Sequence, residues 1–416
     1  MTAHKVYAAQ PPRQGERSPK AFIAATRVAT SLGYYLTIPL LGLVALRAGA
    51  MTSTEVGVLI ATHTLFRRSV AVPTGMACDR WGAERVLVVG LAAEAVGYLL
   101  LGSSLTFPVW WAAMVVDGLG GAAYNSAGKV ILAQASEDDS SAVSFAGFYV
   151  ATSVGALLGP LMGALLAESG FPRLILVISA VIYAGSTTAA VVRYRRLDGR
   201  ALRGPAGAVS VWRDAFRPLR NPLFLVYCSL TIPMWFGISL LVSALPLEAE
   251  ARGLGYFDVG LISSLSALVV VTLGHWAGRR ADGLALHERA GLLAAGAAMM
   301  TVGSLLCLPM GRWPLYASML VVTLGELALI AASEVIAVQL APIGSTGLYL
   351  GYMTTAWSIG GTLASLLSGF LLDGSLAGHR IFWVLAAALL AADAAGLRAL
   401  AGRRAPLERG GPRVAA

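Results

Sequence analysis

The chain has 416 residues, 57% of them apolar and 13% charged, with a net charge of +9. A soluble globular domain carries about 45–50% apolar and 25% charged residues, so one soluble core is excluded: too little polar surface would remain to face water. Lipid is the solvent that fits. Twelve stretches of roughly membrane-spanning length follow in chain order at 21–46, 55–76, 86–105, 109–133, 142–167, 173–192, 222–246, 258–277, 290–309, 314–340, 347–372 and 381–400. They are continuously apolar rather than alternating, which makes them helices and not barrel strands. A polar tail precedes the first span, and the apolar run there exceeds the roughly 7–15 residues of a signal-peptide core, so no cleavable leader is expected.

The polar segments give an orientation. One set of segments holds 22 of the 31 Lys and Arg, and the opposite loops hold 5 (Arg47, Arg173, Arg252, Arg312, Arg380). Arg27, Arg67, Arg68 and Lys129 lie inside spans. Cations concentrate on the cytoplasmic side of polytopic proteins, so both termini are expected in the cytoplasm and the chain in the plasma membrane. Topology and contact with anionic headgroups account for the net charge, and nucleic acid is not an expected partner. Cys78, Cys228 and Cys307 sit on separate spans without metal-ligand spacing and read as small apolar packing residues.

Residues 193–221 break the pattern with an Arg-rich segment containing Gly and Pro. The expected organisation is a tail (1–20), a first six-helix bundle (21–192), a linker (193–221), a second bundle (222–400) and a tail (401–416). The bundles echo each other. SVGALLGPLMGALLAE at 153–168 aligns with SIGGTLASLLSGFLLD at 358–373, an offset of 205, and GMACDRWG at 75–82 with GHWAGRRA at 274–281, an offset of 199. Two echoes at nearly one offset argue for a duplicated unit. Transporters built this way hold substrate between the halves near the bilayer midplane.

Gly75-Met76-Ala77-Cys78-Asp79-Arg80-Trp81-Gly82, between the second and third spans, resembles the G-x-x-x-D-R-x-G signature of the major facilitator superfamily. On the fifth span, Gly155-x-x-x-Gly159-Pro160-x-x-Gly163-Ala164 resembles the G-x-x-x-G-P-x-x-G-G signature of its exporters and antiporters, the twelve-helix drug:proton antiporter-like group. The resemblance implies an all-α membrane protein of twelve transmembrane helices in two pseudo-symmetric six-helix bundles, working by alternating access. It implies that Gly75, Asp79, Arg80, Gly82 and Arg85 form a conformational latch on the cytoplasmic side. Gly155, Gly159 and Gly163 make a smooth stripe for close helix packing, and Pro160 bends the helix. The chain departs from the family pattern in four places, the first being Ala164 where the fifth-span signature ends in Gly. Ala83 and Glu84 replace basic residues after Gly82, and Gly278 replaces the Asp of the second copy. Met114 stands where the fourth span should carry an Arg before Gly118-Leu119-Gly120.

Charges inside a bilayer are costly and mark function or pairing. The interior carboxylates are Glu94, Asp117, Glu326, Glu334 and Asp393. The resemblance places spans 1, 4, 7 and 10 around a central cavity, which brings forward Arg27, Asp117, Glu326 and Glu334 as proton-coupling or substrate-cavity residues. Asp117 and Glu326 lead, and Glu94 and Asp393 fall on helices that are usually peripheral. Eight residues separate Glu326 from Glu334, a turn of roughly 80° beyond two full turns, so both fit one broad face. The alternative for each carboxylate is a permanent ion pair that only ties helices together. His63 reads as a packing histidine. Tyr34, Tyr35, Tyr124, Trp235, Phe236 and Trp357 read as core or as stacking walls, and Trp110, Trp111 and Trp313 as interfacial anchors. Glu137-Asp138-Asp139 reads as a solvated loop able to answer Arg80 and Arg85.

The expected function is therefore secondary active transport: proton-coupled export of a small amphipathic or cationic compound, with the excess of interior carboxylates favouring a cation. An importer or uniporter, or a non-transporting membrane receptor, are the alternatives. No zinc-protease or phosphate-loop motif is present, so an enzyme, a catalytic residue, a cofactor and a metal are not expected. The expected partners are a small-molecule substrate, protons and the lipid bilayer, and the chain is expected to be a monomer.

Overall fold

A computed structural model of the chain describes residues 19–134, 141–196, 218–342 and 346–402. Most of the N-terminal tail and linker, the C-terminal tail and the Glu137-Asp138-Asp139 run lie outside the described residues. Among those described there are thirteen α-helices and no strand. They are α1 (Pro19–Arg47), α2 (Ser53–Ser69), α3 (Ala71–Trp81), α4 (Ala83–Ser103), α5 (Phe107–Gln134), α6 (Ser141–Glu168), α7 (Leu174–Arg196), α8 (Pro222–Ala251), α9 (Tyr256–Asp282), α10 (Leu286–Leu306), α11 (Arg312–Leu340), α12 (Thr346–Leu371) and α13 (Leu376–Gly402).

The second span is the one that is divided. It breaks at Val70 (φ −92°, ψ 16°), three residues before Pro73. Proline has no N–H to offer the carbonyl four residues back, and its ring crowds that carbonyl. Beside the break, Thr74 Oγ1 donates to the carbonyls of Val70 (2.9 Å) and Ala71 (3.0 Å). The break leaves Arg67 and Arg68 in the last turn of α2. With α2 and α3 counted as one, the chain crosses twelve times, in keeping with the expected architecture.

The two bundles repeat the same close crossings. A Cβ on Gly90 of α4 would strike the carbonyl oxygen of Gly120 on α5, and one on Gly120 would strike that of Gly90. Gly296 of α10 and Gly325 of α11 make the equivalent crossing. Gly155 lies on Ser31 and Leu32 of α1, and Gly360 lies on Ile232 and Phe236 of α8. All three pairs lie near the offset of the longer sequence echo. Lipid supplies no hydrophobic drive between helices, so small residues that let backbones approach do the joining.

The bundles meet on the side away from the chain tails. There α2 packs along α12, and α6 along α9. A Cβ on Gly57 would strike the backbone of Ser365 and Gly369, and one on Gly260 would strike Pro160 and Ala164. Thr54 Oγ1 donates to Gly369 O at 3.3 Å. At the far rim Arg47 Nε is 2.9 Å from Glu250 Oε2 and its Nη2 donates to Leu254 O at 2.6 Å, while the Phe257 N–H donates to Glu168 at 3.1 Å. The tail side is different. Among the described residues, a Cβ on Gly75, Gly274 or Gly278 would meet nothing within 4 Å, and no comparable packing joins α5 to α11. Among the described residues, the bundles are joined on the far side and stand apart toward the tails.

One reading is corrected here. Trp110 is fully buried, its indole N–H donating to Ser104 O at 2.6 Å, so it closes the α4–α5 turn and is no interfacial anchor. Trp111 and Trp313 are 44% and 75% exposed, as that role requires.

Candidate functional site

The densest set of interior charges lies inside the first bundle, where α2, α4 and α5 meet. The Gly118-Leu119-Gly120-Gly121 run of α5 makes it possible. A Cβ on Gly118 would meet the backbone of His63 and Arg67, and a Cβ on Gly121 would collide with the Arg67 guanidinium. Into that socket α2 places Arg67, whose Nη1 is 3.0 Å from Glu94 Oε1 and 3.8 Å from Asp117 Oδ2. His63, one turn earlier on α2, brings Nε2 to 2.9 Å from Asp117 Oδ2. Side-chain exposure is 9% for Arg67, 3% for His63 and zero for both carboxylates. Tyr34 of α1 covers the cluster, its ring 4.5 Å from the Arg67 guanidinium carbon and 5.8 Å from the His63 ring.

Two carboxylates share one guanidinium. With His63 neutral the cluster carries one net negative charge, and a single proton on His63 or on a carboxylate cancels it. An uncompensated charge at this depth is expensive, so the arrangement is a natural holder for one exchangeable proton.

The expected residues are distributed unevenly. Asp117 was expected to line the cavity with Glu326, but it faces α2 and α4 in this closed cluster, because the glycine run of α5 turns that face toward Arg67. Its charge therefore does not count toward a cation preference of the opening. Glu94, expected to be peripheral, is a full partner, and His63 faces Asp117 at 2.9 Å rather than packing alone. The guanidinium missing from the fourth span is supplied against it from the second.

Arg27, Glu334 and Glu326 are outside the cluster. Arg27 is half-buried, donating to Thr152 Oγ1 (2.7 Å) and Asn125 Oδ1 (2.8 Å) with its guanidinium over the Phe148 ring. Glu334 is exposed and Glu326 half-buried, neither with an ion-pair partner among the described residues. Arg68 lies over the Trp357 ring at 3.4 Å, and Trp357 stacks on Trp235 at 4.2 Å. Ser69 and Ser358 meet at 2.8 Å beside them, where the closed seam ends. Asp393 is buried on α13, which packs on α10.

The latch residues lie at the open end. Gly82 has φ +88°, a conformation that glycine alone adopts cheaply, and it makes the tight α3–α4 turn. Asp79, Arg80 and Arg85 are exposed and make no ion pair among the described residues. Gly155, Gly159 and Gly163 set α6 on α1, and Pro160 faces α9 across the seam.

A second buried cluster went unforeseen. Glu248 accepts from Trp383 Nε1 (2.7 Å), lies 2.8 Å from His379 Nδ1 and pairs with Arg252 at 2.9 Å. Arg252 also donates to the carbonyls of Cys307 (2.8 Å) and Gly311 (2.7 Å). The Cys307 thiol is free and buried. The seventh span was expected to end at residue 246, whereas α8 runs to Ala251. The Glu248/Arg252 spacing of four was the available signal.

Two helical bundles closed on one face, open on the other, with charges between and within them, define a membrane transporter and not an enzyme. The profile of the Major Facilitator Superfamily matches residues 23–285, and the chain belongs to that family. Among its relatives are the multidrug resistance protein MdtH of Shigella boydii serotype 4 (strain Sb227), 22% identical over 372 residues, covering 87% of this chain and 88% of that one. MdtH of Escherichia coli (strain K12 / DH10B) is 22% identical over 373 residues, with the same coverage. Among solved structures, a bacterial homolog of the human lysosomal transporter Spinster, inward-facing and unoccupied, aligns with TM-score 0.74 at 14% identity, over 96% of this chain and 100% of that one. A POT family transporter bound to a thioalcohol-conjugated peptide aligns at 0.73 and 13% identity, over 92% and 96%. These likenesses are of fold.

Proposed function

We propose that the chain exports a small amphipathic compound across the plasma membrane in exchange for protons. The observation that carries this reading is the His63–Asp117–Arg67–Glu94 cluster, one proton short of neutrality inside a bundle that must move. Release of that proton on one side and recapture on the other would couple the proton gradient to the rocking of the bundles. The cation distribution supports tails in the cytoplasm, so the described state opens inward. Asp79, Arg80 and Arg85, which make no ion pair among the described residues, are then the groups that engage when the tail side closes. The helix-packing stripe on α6 and the MdtH relatives favour export over import.

The test is reconstitution in vesicles holding a pH-sensitive dye. Addition of an amphipathic substrate should move protons in the wild type and not in Asp117→Asn, with the variant still folded and inserted. Undiminished substrate-driven proton movement in Asp117→Asn, Glu94→Gln and His63→Gln alike would overturn the coupling assignment.

A further inference from the structure

Two neighbouring arginines at the end of α2 are held in opposite ways. Successive residues on a helix point about 100° apart. Arg67 turns into the first bundle, where Glu94 and Asp117 answer it, and Arg68 turns toward the second. There its guanidinium carbon lies 3.4 Å over the Trp357 ring. Trp357 in turn stacks on Trp235, with ring centroids 4.2 Å apart and planes 11° from parallel. Two groups this close cannot share one face of an indole, so Arg68 and Trp235 cover opposite faces of Trp357. The column joins α2 of one bundle to α12 and α8 of the other. Each of its three residues lies close to the middle of its own crossing, which is the depth at which two-bundle transporters hold substrate. Behind the column the seam is shut: Ser69 Oγ meets Ser358 Oγ at 2.8 Å, and Thr64 lies against Gly361. Arg68, Trp357 and Trp235 therefore stand at the floor of the opening.

The face of the guanidinium is covered and its edge is not. Among the described residues Arg68 makes no ion pair and its N–H groups meet no acceptor, although none of its nitrogens is sealed off from open space. An indole offsets part of the cost of a cation at this depth but supplies no counter-charge. A carboxylate does, since its two oxygens match the free edge of the planar fork through parallel N–H···O bonds. A cationic molecule would be repelled from the same place. The carboxylates that made a cation the expected substrate do not oppose this, because Arg67 and His63 hold Glu94 and Asp117 inside the first bundle. We propose that Arg68, braced by the Trp357–Trp235 stack, receives the carboxylate of an amphipathic organic acid at the floor of the opening. This assignment rests on the export reading above and names its substrate class.

The probes are 4-phenylbutanoate, its neutral amide and the cation 4-phenylbutylamine, titrated into the purified full-length protein. The carboxylate should bind about tenfold or more tightly than either relative. Arg68→Gln should bring the carboxylate down to the level of the amide while the amide binds as it does to the wild type, which a misfolded protein would not do. Arg68→Lys keeps the charge without the fork and should keep part of the preference. A carboxylate that binds no better than the amide or the amine, a preference undiminished in Arg68→Gln, or one wholly lost in Arg68→Lys would each overturn the proposal. Proton movement in vesicles, measured with the same probes, separates the two readings. Movement driven by the amine, with no Arg68-dependent binding of the carboxylate, overturns the acid assignment and leaves proton-coupled export standing. Arg68-dependent binding with no driven proton movement does the reverse.

Discussion

The Arg67 guanidinium stands 3.0 Å from Glu94 and 3.8 Å from Asp117, so one cation from α2 holds carboxylates from two other helices. Removing one partner of a buried pair costs about 3–5 kcal/mol, because the charge left behind has no water to turn to. Arg67→Met leaves two such charges. Its thermal unfolding midpoint in detergent should fall well below that of the wild type. Glu94→Gln should fall less, since Arg67 keeps Asp117. Joining the two changes should restore part of the loss. Equal midpoints for all four proteins would mean that the cluster ties nothing together.

Gly121 tests the same cluster without altering a charge. A methyl group there occupies the space of the Arg67 guanidinium, and Gly121→Ala should push that group off its carboxylates. Proton coupling should be impaired as in Asp117→Asn, while Gly185→Ala on α7, where a Cβ meets nothing within 4 Å, leaves it intact. Vesicle proton-flux assays on the two alanine variants decide it.

The number of spans, the duplication and the family were legible in the sequence because each depends on composition or on residues close together in the chain. The rotation of each helix was not. These helices are apolar around most of their circumference, so no stripe tells which face meets lipid and which meets a neighbour. Asp117 and Glu94 therefore looked separate, one central and one peripheral, although Gly90 and Gly120 bring their helices into backbone contact. His63 lies 54 positions from Asp117, and only the approach of α2 to the glycine run joins them. Arg27 and Glu334 were legible as interior charges.

The far seam should be sensitive to volume. Gly369 of α12 lies against Ser53 and Gly57 of α2, and larger side chains in well-packed sites cost about 1–3 kcal/mol. In Gly369→Val that cost falls on the state with the far side closed, so the population shifts toward the opposite state. Spin-label distances should then lengthen between Gly49 and Gly253, at the far side, and shorten between Trp81 and Trp276, at the tail side. Unchanged distances on both sides would show that the seam tolerates the added volume.

Glu248 and Glu250 sit two residues apart near the end of α8 and should behave differently. Glu250 pairs with Arg47 across the seam, but the two side chains are 41% and 30% exposed, and such pairs contribute about 0–1 kcal/mol. Glu248 is 1% exposed, and three donors converge on it from α13 and from Arg252. Its removal leaves the Arg252 Nε–H, the His379 Nδ1–H and the Trp383 indole N–H without that acceptor, and a buried donor left unmade costs about 1–3 kcal/mol, more for a charged group. Glu248→Ala should therefore lower the unfolding midpoint by several degrees, whereas Glu250→Ala leaves it nearly unchanged and acts on the balance between the two faces. Thermal unfolding of both variants, with the spin-label distances above, separates a residue that holds the second bundle together from one that only latches it to the first.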